Sequence, residues 1–277
     1  LTGLNAAHCL VRAGDGSWTL RDESAGETYH PELGIRNECR AWLDQPEIDA
    51  VLAGSELLRV WDVGLGAGGV AAALCARLRG KRAHLLSFDR STAALARVVG
   101  EREKFPHLDV LPDAVWRARL GGGTLVWESL RWDWLAGDIR ETLPRAAGEP
   151  PQLLMYDMHS PQAQPELWVL DFWRRLAGLF AGQRVLAAFH TRSTAVRSTL
   201  LLAGWRVGCG AALGSKEETT LAASAPGMLR APLDGRWLER VGRSTTGHPL
   251  VEGVAGPAPI TAEWMEELQK HPQFGPG

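Results

Sequence analysis

LLRVWDVGLGAGGVAAALCARL, residues 57–78, holds the transition that decides the fold. LLRVWDV is apolar and short, as a buried strand should be. Gly64, Gly66 and Gly68 then break it, and the small apolar run that follows reads as a helix. The alternation continues downstream. HLLSFD (84–89) reads as a strand and STAALARVVGEREKF (91–105) as a helix. TLVWESLRWDWLAGD (124–138) reads as a hairpin or strand before the helix DIRETLPRAA (138–147). LLMYD (153–157) is a strand and PELWVLDFWRRLAGLF (165–180) a helix, with Leu167, Leu170, Trp173, Ala177 and Phe180 as its packing face. RVLAAFH (184–190) is a strand, TAVRSTLLLAG (194–204) a helix, and WRVGCG (205–210) and EETTLAAS (217–224) a closing strand pair. Strands alternating with amphipathic helices predict an α/β fold, doubly wound and mostly parallel. The closing pair has no helix between its members, which predicts an antiparallel strand near one edge. Upstream, SWTL (17–20) reads as a strand and IRNECRAWL (35–43) as a helix. The reading is an N-terminal extension (1–50), a core (51–225) and a Pro/Gly-rich C-terminal tail (226–277) laid over it, with a short helix at TAEWMEELQ.

With 277 residues the chain can bury a full core, and its 22% charged residues are ordinary for a globular protein. A formal net charge of -2 excludes a globally basic nucleic-acid binder while leaving room for a local basic face. Cys9, Cys39, Cys75 and Cys209 are scattered, which matches neither zinc-ligand spacing nor a disulfide framework. Reduced thiols, a cytoplasmic protein and no metal are expected. No apolar run approaches a membrane span and no signal-peptide pattern opens the chain.

Glycines after a strand let the backbone turn tightly towards a ligand, and the next helix offers its N-terminal amides. Gly64, Gly66 and Gly69 also satisfy a dinucleotide fingerprint, so the loop alone serves several ligands. Asp62, two residues ahead, fits the first motif of S-adenosylmethionine-dependent methyltransferases, near the ammonium end of the ligand. Asp89 closes the next strand, where a carboxylate can accept both ribose hydroxyls. Asp89 or Ser91 would equally cap a helix. Asp138, in LAGDIRETL, can receive an adenine amino group with Ile139 against the ring, or can cap the helix that follows. A glycine loop and two acids at successive strand ends favour adenosylmethionine over NAD.

YDMHSPQAQPELW, residues 156–168, closes the fourth strand of the series on Asp157. An acid there faces the reactive end of a ligand. His159 can act as a base, as a substrate contact or as a loop residue.

DGSWTLRDESAGETYHPELGIRNEC, the glycine loop, GDIRETL, YDMHSPQAQPELW, LLLAGWRVGCGAALGSKEETTLA and LERVGRST occur here in an order that resembles one family. It is the methyltransferase domain of the MnmC type, which completes 5-methylaminomethyl-uridine at the tRNA wobble position. The resemblance spans roughly residues 15–245 and corresponds to the form without the FAD-dependent oxidase domain. It implies a Rossmann-like class I methyltransferase sheet, S-adenosyl-L-methionine as cofactor and the tRNA anticodon region as partner. Asp157 matches the family's Asp-x-Phe-x-Pro segment, placed to engage the substrate amine. Attack on a sulfonium methyl needs a neutral, aligned amine, and a carboxylate can orient its N–H groups and take up the proton. Pro161 stiffens that loop. His159 stands where the family pattern has Phe, and an imidazole can still stack on or hydrogen-bond a uracil. In GETYHP, Glu27, Tyr29 and His30 precede a helix bearing Glu38, similar to a lid over the cofactor; read without the resemblance, Tyr29 is a packing aromatic and Glu38 a solvated charge. The resemblance thus assigns Glu38, Asp62, Gly64, Gly66, Gly68, Asp89, Asp138 and Ile139 to the cofactor, and Tyr29, His30, His159, Pro161 and Lys216 to the substrate. Lys216, in a glycine turn, suits an RNA phosphate. Arg77, Arg79, Lys81 and Arg82 suit an RNA face or balance helix ends.

Two other functions stay open on the sequence. One is a methyl- or aminopropyltransferase of the same fold acting on a small amine, which should carry more acids near the fourth-strand loop than Asp157 and Glu166. The other is a nucleotide-binding module without catalysis.

Overall fold

The computed structural model describes residues 8–146, 148–254 and 256–275. The first seven residues of the extension, Ala147 of the expected helix 138–147, Ala255 and the last two residues of the tail lie outside them. The chain gathers into two compact units, one running to His159 and including Leu213–Ser215, the other comprising Ser160–Ala212 and the residues from Lys216 on.

The first unit opens with a three-stranded antiparallel sheet, β1 (His8–Arg12), β2 (Trp18–Asp22) and β3 (Glu27–Thr28). α1 (Gly34–Leu43) and α2 (Pro46–Ala53) follow. Then come β4 (Leu58–Val63), α3 (Gly69–Leu78), β5 (Ala83–Asp89), α4 (Ala93–Gly100), α5 (Asp113–Leu120), β6 (Thr124–Trp127), β7 (Leu130–Ala136), α6 (Ile139–Ala146) and β8 (Leu153–Tyr156). The strand order β8-β4-β5-β7-β6 is parallel except for β6, which forms a hairpin with β7. β8 is buried at every position and β4 at all but one, as strands covered on both faces should be. The small residues of α3 let it lie close on the sheet, and eight of its ten residues are buried.

The second unit contains α7 (Leu170–Leu179), β9 (Leu186–Phe189), α8 (Thr194–Leu202), β10 (Arg206–Gly210), β11 (Thr219–Ala223), α9 (Gly235–Gly242) and α10 (Ala262–Gln269). β11 pairs antiparallel with both β9 and β10. The fold is α/β with a mostly parallel sheet and antiparallel strands, as the sequence predicts.

Several boundaries differ from the sequence reading. The expected helix 165–180 is a 3-10 turn (Pro165–Leu167) and then α7, because Val169 is extended (φ -71, ψ 152) and Leu170 N–H donates to Leu250 O at 2.8 Å. A tertiary acceptor wins there over helix continuity. Leu167, Leu170, Trp173 and Phe180 are buried, with Phe172 and Leu176 beside them, while Ala177 is only partly covered. α4 stops at Gly100, ahead of a 3-10 turn. In the tail, α9 accompanies the expected helix α10, with Trp237 and Val241 buried. Gln273 fastens the tail to β10 by donating to Val207 O and accepting from Val207 N–H, both at 2.7 Å. No described helix is long and apolar enough to cross a membrane.

Candidate active site

The loop after β4 is pinned to β5, with Gly64 N–H donating to Phe88 O at 2.9 Å. Gly64 (φ 93) and Gly66 (φ 48) occupy the left-handed region. Space excludes a side chain there as firmly as conformation does. A Cβ on Gly64 would run into the carbonyl oxygen of Asp157, and one on Gly66 would come within 2.9 Å of the Tyr29 ring. The loop therefore lies between the end of β8 and the N-terminal segment.

Asp62 is wholly buried in β4. Its Oδ2 accepts from Ser87 Oγ at 2.8 Å, and Ser87 Oγ accepts from Trp132 Nε1 at 3.0 Å. Asp62 Oδ1 has no hydrogen-bond partner among the described residues. Burial pushes this carboxyl up to about 8 against the Ser87 hydrogen bond, and Asp157 and Asp89 add to the rise. Asp89, the last residue of β5, accepts Gly66 N–H on Oδ2 at 2.9 Å and Ser91 N–H on Oδ1 at 3.1 Å. The residue before α4 is Thr92, so Asp89 serves the glycine loop and not a helix cap. Burial raises its carboxyl too, opposed by these N–H groups.

Asp138, next to the buried Ile139, is heavily engaged. It accepts Arg140 N–H at 2.9 Å, Arg140 Nη2 at 2.8 Å and Arg90 Nη2 at 2.6 Å. Arg140 first, with Arg90 behind it, holds this carboxyl far below the usual range despite partial burial. Capping the start of α6 is thus a role the geometry contains.

Asp157 N–H continues the ladder past β8, donating to Val63 O at 2.8 Å. Its Oδ2 lies 3.3 Å from His30 Nε2, and His30 Nδ1 lies 3.6 Å from Glu38 Oε1. Glu38 is buried, against the reading of it as a solvated charge, and its Oε2 accepts Leu33 N–H at 3.2 Å. Cys39 Sγ is 3.3 Å from His30 Nε2. Burial opposes a charged imidazole at His30, but Cys39 and Asp157 outweigh it and the ring sits well above its ordinary value. Tyr29 lies edge-on to His159 with ring centroids 5.4 Å apart, and burial raises its phenol. His159 Nε2 is 3.3 Å from Asp22 Oδ2 and its Nδ1 is 3.4 Å from Glu27 Oε2.

Residues 122–225 match the model of a family described as S-adenosyl-L-methionine-dependent methyltransferase. The structure is similar to that of MNMC2 from Aquifex aeolicus, at 20% identity over 95% of this chain and 84% of that one, with a TM-score of 0.70. The chain thus carries an S-adenosyl-L-methionine-dependent methyltransferase segment, residues 122–225, on a fold similar to that of MNMC2. It is also similar to cofactor-bound Rv0187 from MTB (15% identity, 67% of this chain and 85% of that one, TM-score 0.41). An O-methyltransferase family protein from Burkholderia thailandensis is similar too (13%, 68% and 56%, TM-score 0.38). No curated protein matches the sequence.

The residues of this site fit S-adenosyl-L-methionine. Its ammonium needs acceptors, and Asp62 keeps one buried carboxylate oxygen without a partner among the described residues. Asp62, Asp89, Asp157 and Glu38 make this part of the first unit strongly acidic, which suits a cationic ligand. The first unit thus brings together Tyr29, His30, Glu38, Asp62, Gly64, Gly66, Gly68, Asp89, Asp138, Ile139, Asp157 and His159. Pro161 and Lys216 belong to the second unit, where Lys216 Nζ meets His190 Nδ1 at 3.0 Å. Arg77 pairs with Asp49, Arg79 donates to Val110 O and Lys81 to Leu52 O, so three of the four basic groups serve their own scaffold.

Sequence reasoning missed Cys39, Ser87 and Asp22. Ser87 stands directly across from Asp62 in the β4–β5 register, a relation the two strand patterns could have revealed. No local signal marks Asp22.

Proposed function

We propose that this chain is an N-methyltransferase that converts 5-aminomethyl-uridine, or its 2-thio form, at the tRNA wobble position to 5-methylaminomethyl-uridine. The observation that carries the reading is Asp157, a partly accessible carboxylate at the end of β8, against the glycine loop and beside His30. The likeness to MNMC2 over 95% of the chain supports it, together with the order of motifs. A tRNA substrate puts the reaction in the cytoplasm.

When bound, S-adenosyl-L-methionine would supply an electrophilic methyl group. Asp62 and Glu38 would hold its cationic end, Asp89 its ribose, and Ile139 with Asp138 its base. Asp157 accepts the amine's N–H groups, aligns the nitrogen and takes up the departing proton directly or through water. Tyr29 and His159 offer the uracil a stacking edge, and Lys216 an RNA phosphate. Asp138 reaches the adenine amino group only with a lone pair that its two arginines leave free.

Labelled S-adenosyl-L-methionine, incubated with tRNA lacking the final methyl and then digested to nucleosides, tests this. Label in 5-methylaminomethyl-uridine that is lost in Asp157→Ala supports it. Cofactor binding with no label in tRNA would sink it. One observation favours the small-amine reading enough to include such amines as acceptors: Asp22 and Glu27 both face His159, so more acids surround this loop than the sequence count gives.

A further inference from the structure

We propose that His30 is a positioning residue for Asp157: a buried imidazole, anchored on Glu38, that fixes the Asp157 carboxylate without touching the acceptor. This rests on the amine-methyltransferase reading and says how its acid is held. The three side chains form a line, Glu38 Oε1 to His30 Nδ1 at 3.6 Å and His30 Nε2 to Asp157 Oδ2 at 3.3 Å. Access increases along it. Glu38 and His30 side chains are 3% and 7% exposed, whereas Asp157 is 18% exposed, so an acceptor meets Asp157 first.

Packing behind the ring points the same way. A Cβ placed on Gly69, at the start of α3, would be 2.5 Å from Ile35 Cγ2, 2.7 Å from Cys39 Sγ and 3.6 Å from His30 Nε2. The imidazole therefore faces the first turn of α3 across a gap of about one methyl group, too narrow for a uracil. His30 also holds a positive φ of 45, a conformation that costs a non-glycine residue about 1 kcal/mol or more. A lid residue that merely closes over a ligand needs no such fixed backbone; a residue that must aim its ring does.

Charge supplies the reason for aiming it. Asp62, Asp89, Glu38 and Asp157 are all acids of this site, and Asp157 raises the carboxyl of Asp62. An imidazolium between Glu38 and Asp157 offsets that mutual repulsion and keeps Asp157 able to accept a proton. Cys39 on α1 and His107, whose Nε2 lies 2.9 Å from Ala67 O, are further titratable groups that interact with it.

Two measurements test the assignment. Nitrogen-15 spectra of ring-labelled His30 need no acceptor: the titration midpoint should fall in Asp157→Asn, and an unchanged midpoint would overturn the coupling. In steady-state methyl transfer, His30→Asn should lower kcat on the order of 10²-fold through misplacement, leave S-adenosyl-L-methionine affinity unchanged and move the acid limb of the kcat/KM profile to higher pH. His30→Gln should recover part of kcat. A higher acceptor KM with kcat intact would make His30 a substrate contact and overturn the proposal, as would loss of cofactor affinity with an unmoved profile. If wild-type protein transfers no methyl to tRNA, the proposed function fails while the spectra still decide the His30–Asp157 relation.

Discussion

Ser87 Oγ donates to Asp62 Oδ2 at 2.8 Å across two parallel strands, while Asp62 Oδ1 is buried with no partner among the described residues. The pair fixes one oxygen and leaves the other for a cation. Because burial lifts this carboxyl to about 8, the folded chain keeps a proton there that the unfolded chain has released above its ordinary carboxylate value. The folded state binds more protons between those two values, so stability contributed by this group falls as pH rises through that window. Thermal unfolding from pH 5 to pH 8 should show the fall in wild type and a flatter profile in Asp62→Asn. A cationic ligand reverses the preference. Calorimetry in buffers of different ionisation enthalpy should detect proton release on S-adenosyl-L-methionine binding near pH 7. Asp62→Asn should bind it about tenfold or more weakly, since one charge-assisted contact is worth about 1.5–3 kcal/mol.

Gly64 and Gly80 separate conformation from space. Both have positive φ, 93 and 74, but a Cβ on Gly80 meets nothing within 4 Å while one on Gly64 strikes the Asp157 carbonyl. Gly80→Ala should lose about 1–2 kcal/mol in chemical denaturation, the left-handed cost alone. Gly64→Ala should lose more. It should also lower single-turnover methyl transfer far beyond Gly80→Ala, because backbone at Asp157 must shift to admit the methyl.

What the sequence reveals here follows the range of its grammar. Asp62, the glycine loop, Asp89 and Asp157 are legible because each sits where a strand ends, and strand ends show in local hydrophobic pattern. The line from Glu38 through His30 to Asp157 is not, since it needs α1 and the segment before it to fold back onto a strand more than a hundred residues away. Asp22 reaches His159 only through the β2–β3 hairpin. No local pattern in DAVWRARL marks Arg119, which is buried, donates to Trp132 O and Gly123 O and braces the β6–β7 hairpin. The break at Val169 depends on Leu250 O, which no local propensity encodes.

Asp138 gives an acid-side signature of opposite sign to Asp62. Arg140 and Arg90 hold its carboxyl below the ordinary value of 3.8, so its contribution is present above that value and is lost as pH falls through the folded one. Asp138→Asn keeps an oxygen that can cap α6, so it should cost less than about 1 kcal/mol at pH 7, from the lost charge alone. Both arginines are about half exposed, and screening keeps their share small. The gap between variant and wild type in urea titrations should narrow below about pH 4. A gap that persists there would mean the carboxylate charge does not carry the effect.

His159→Phe tests a position that leaves the family pattern, as Gln162 to Gln164 also do. A phenyl ring keeps the edge contact on Tyr29 but not the approaches to Asp22 Oδ2 and Glu27 Oε2. Asp22 retains its bonds from Ser24 N–H at 2.9 Å and Ala25 N–H at 3.2 Å, so the hairpin should hold, losing up to about 1 kcal/mol and less at high salt. Cofactor affinity should change little, because the hydrogen bonds that hold Asp62 and Asp89 do not involve His159. The acceptor decides between the two readings. If a uracil stacks here, phenyl serves it at least as well, and tRNA KM should fall a few-fold with kcat kept. If the acceptor is a small polyamine, Asp22 and Glu27 freed of the imidazole should hold it more tightly, and its KM should fall while tRNA remains inert. A tenfold rise in tRNA KM would contradict both and assign the imidazole a hydrogen bond to RNA that phenylalanine cannot make.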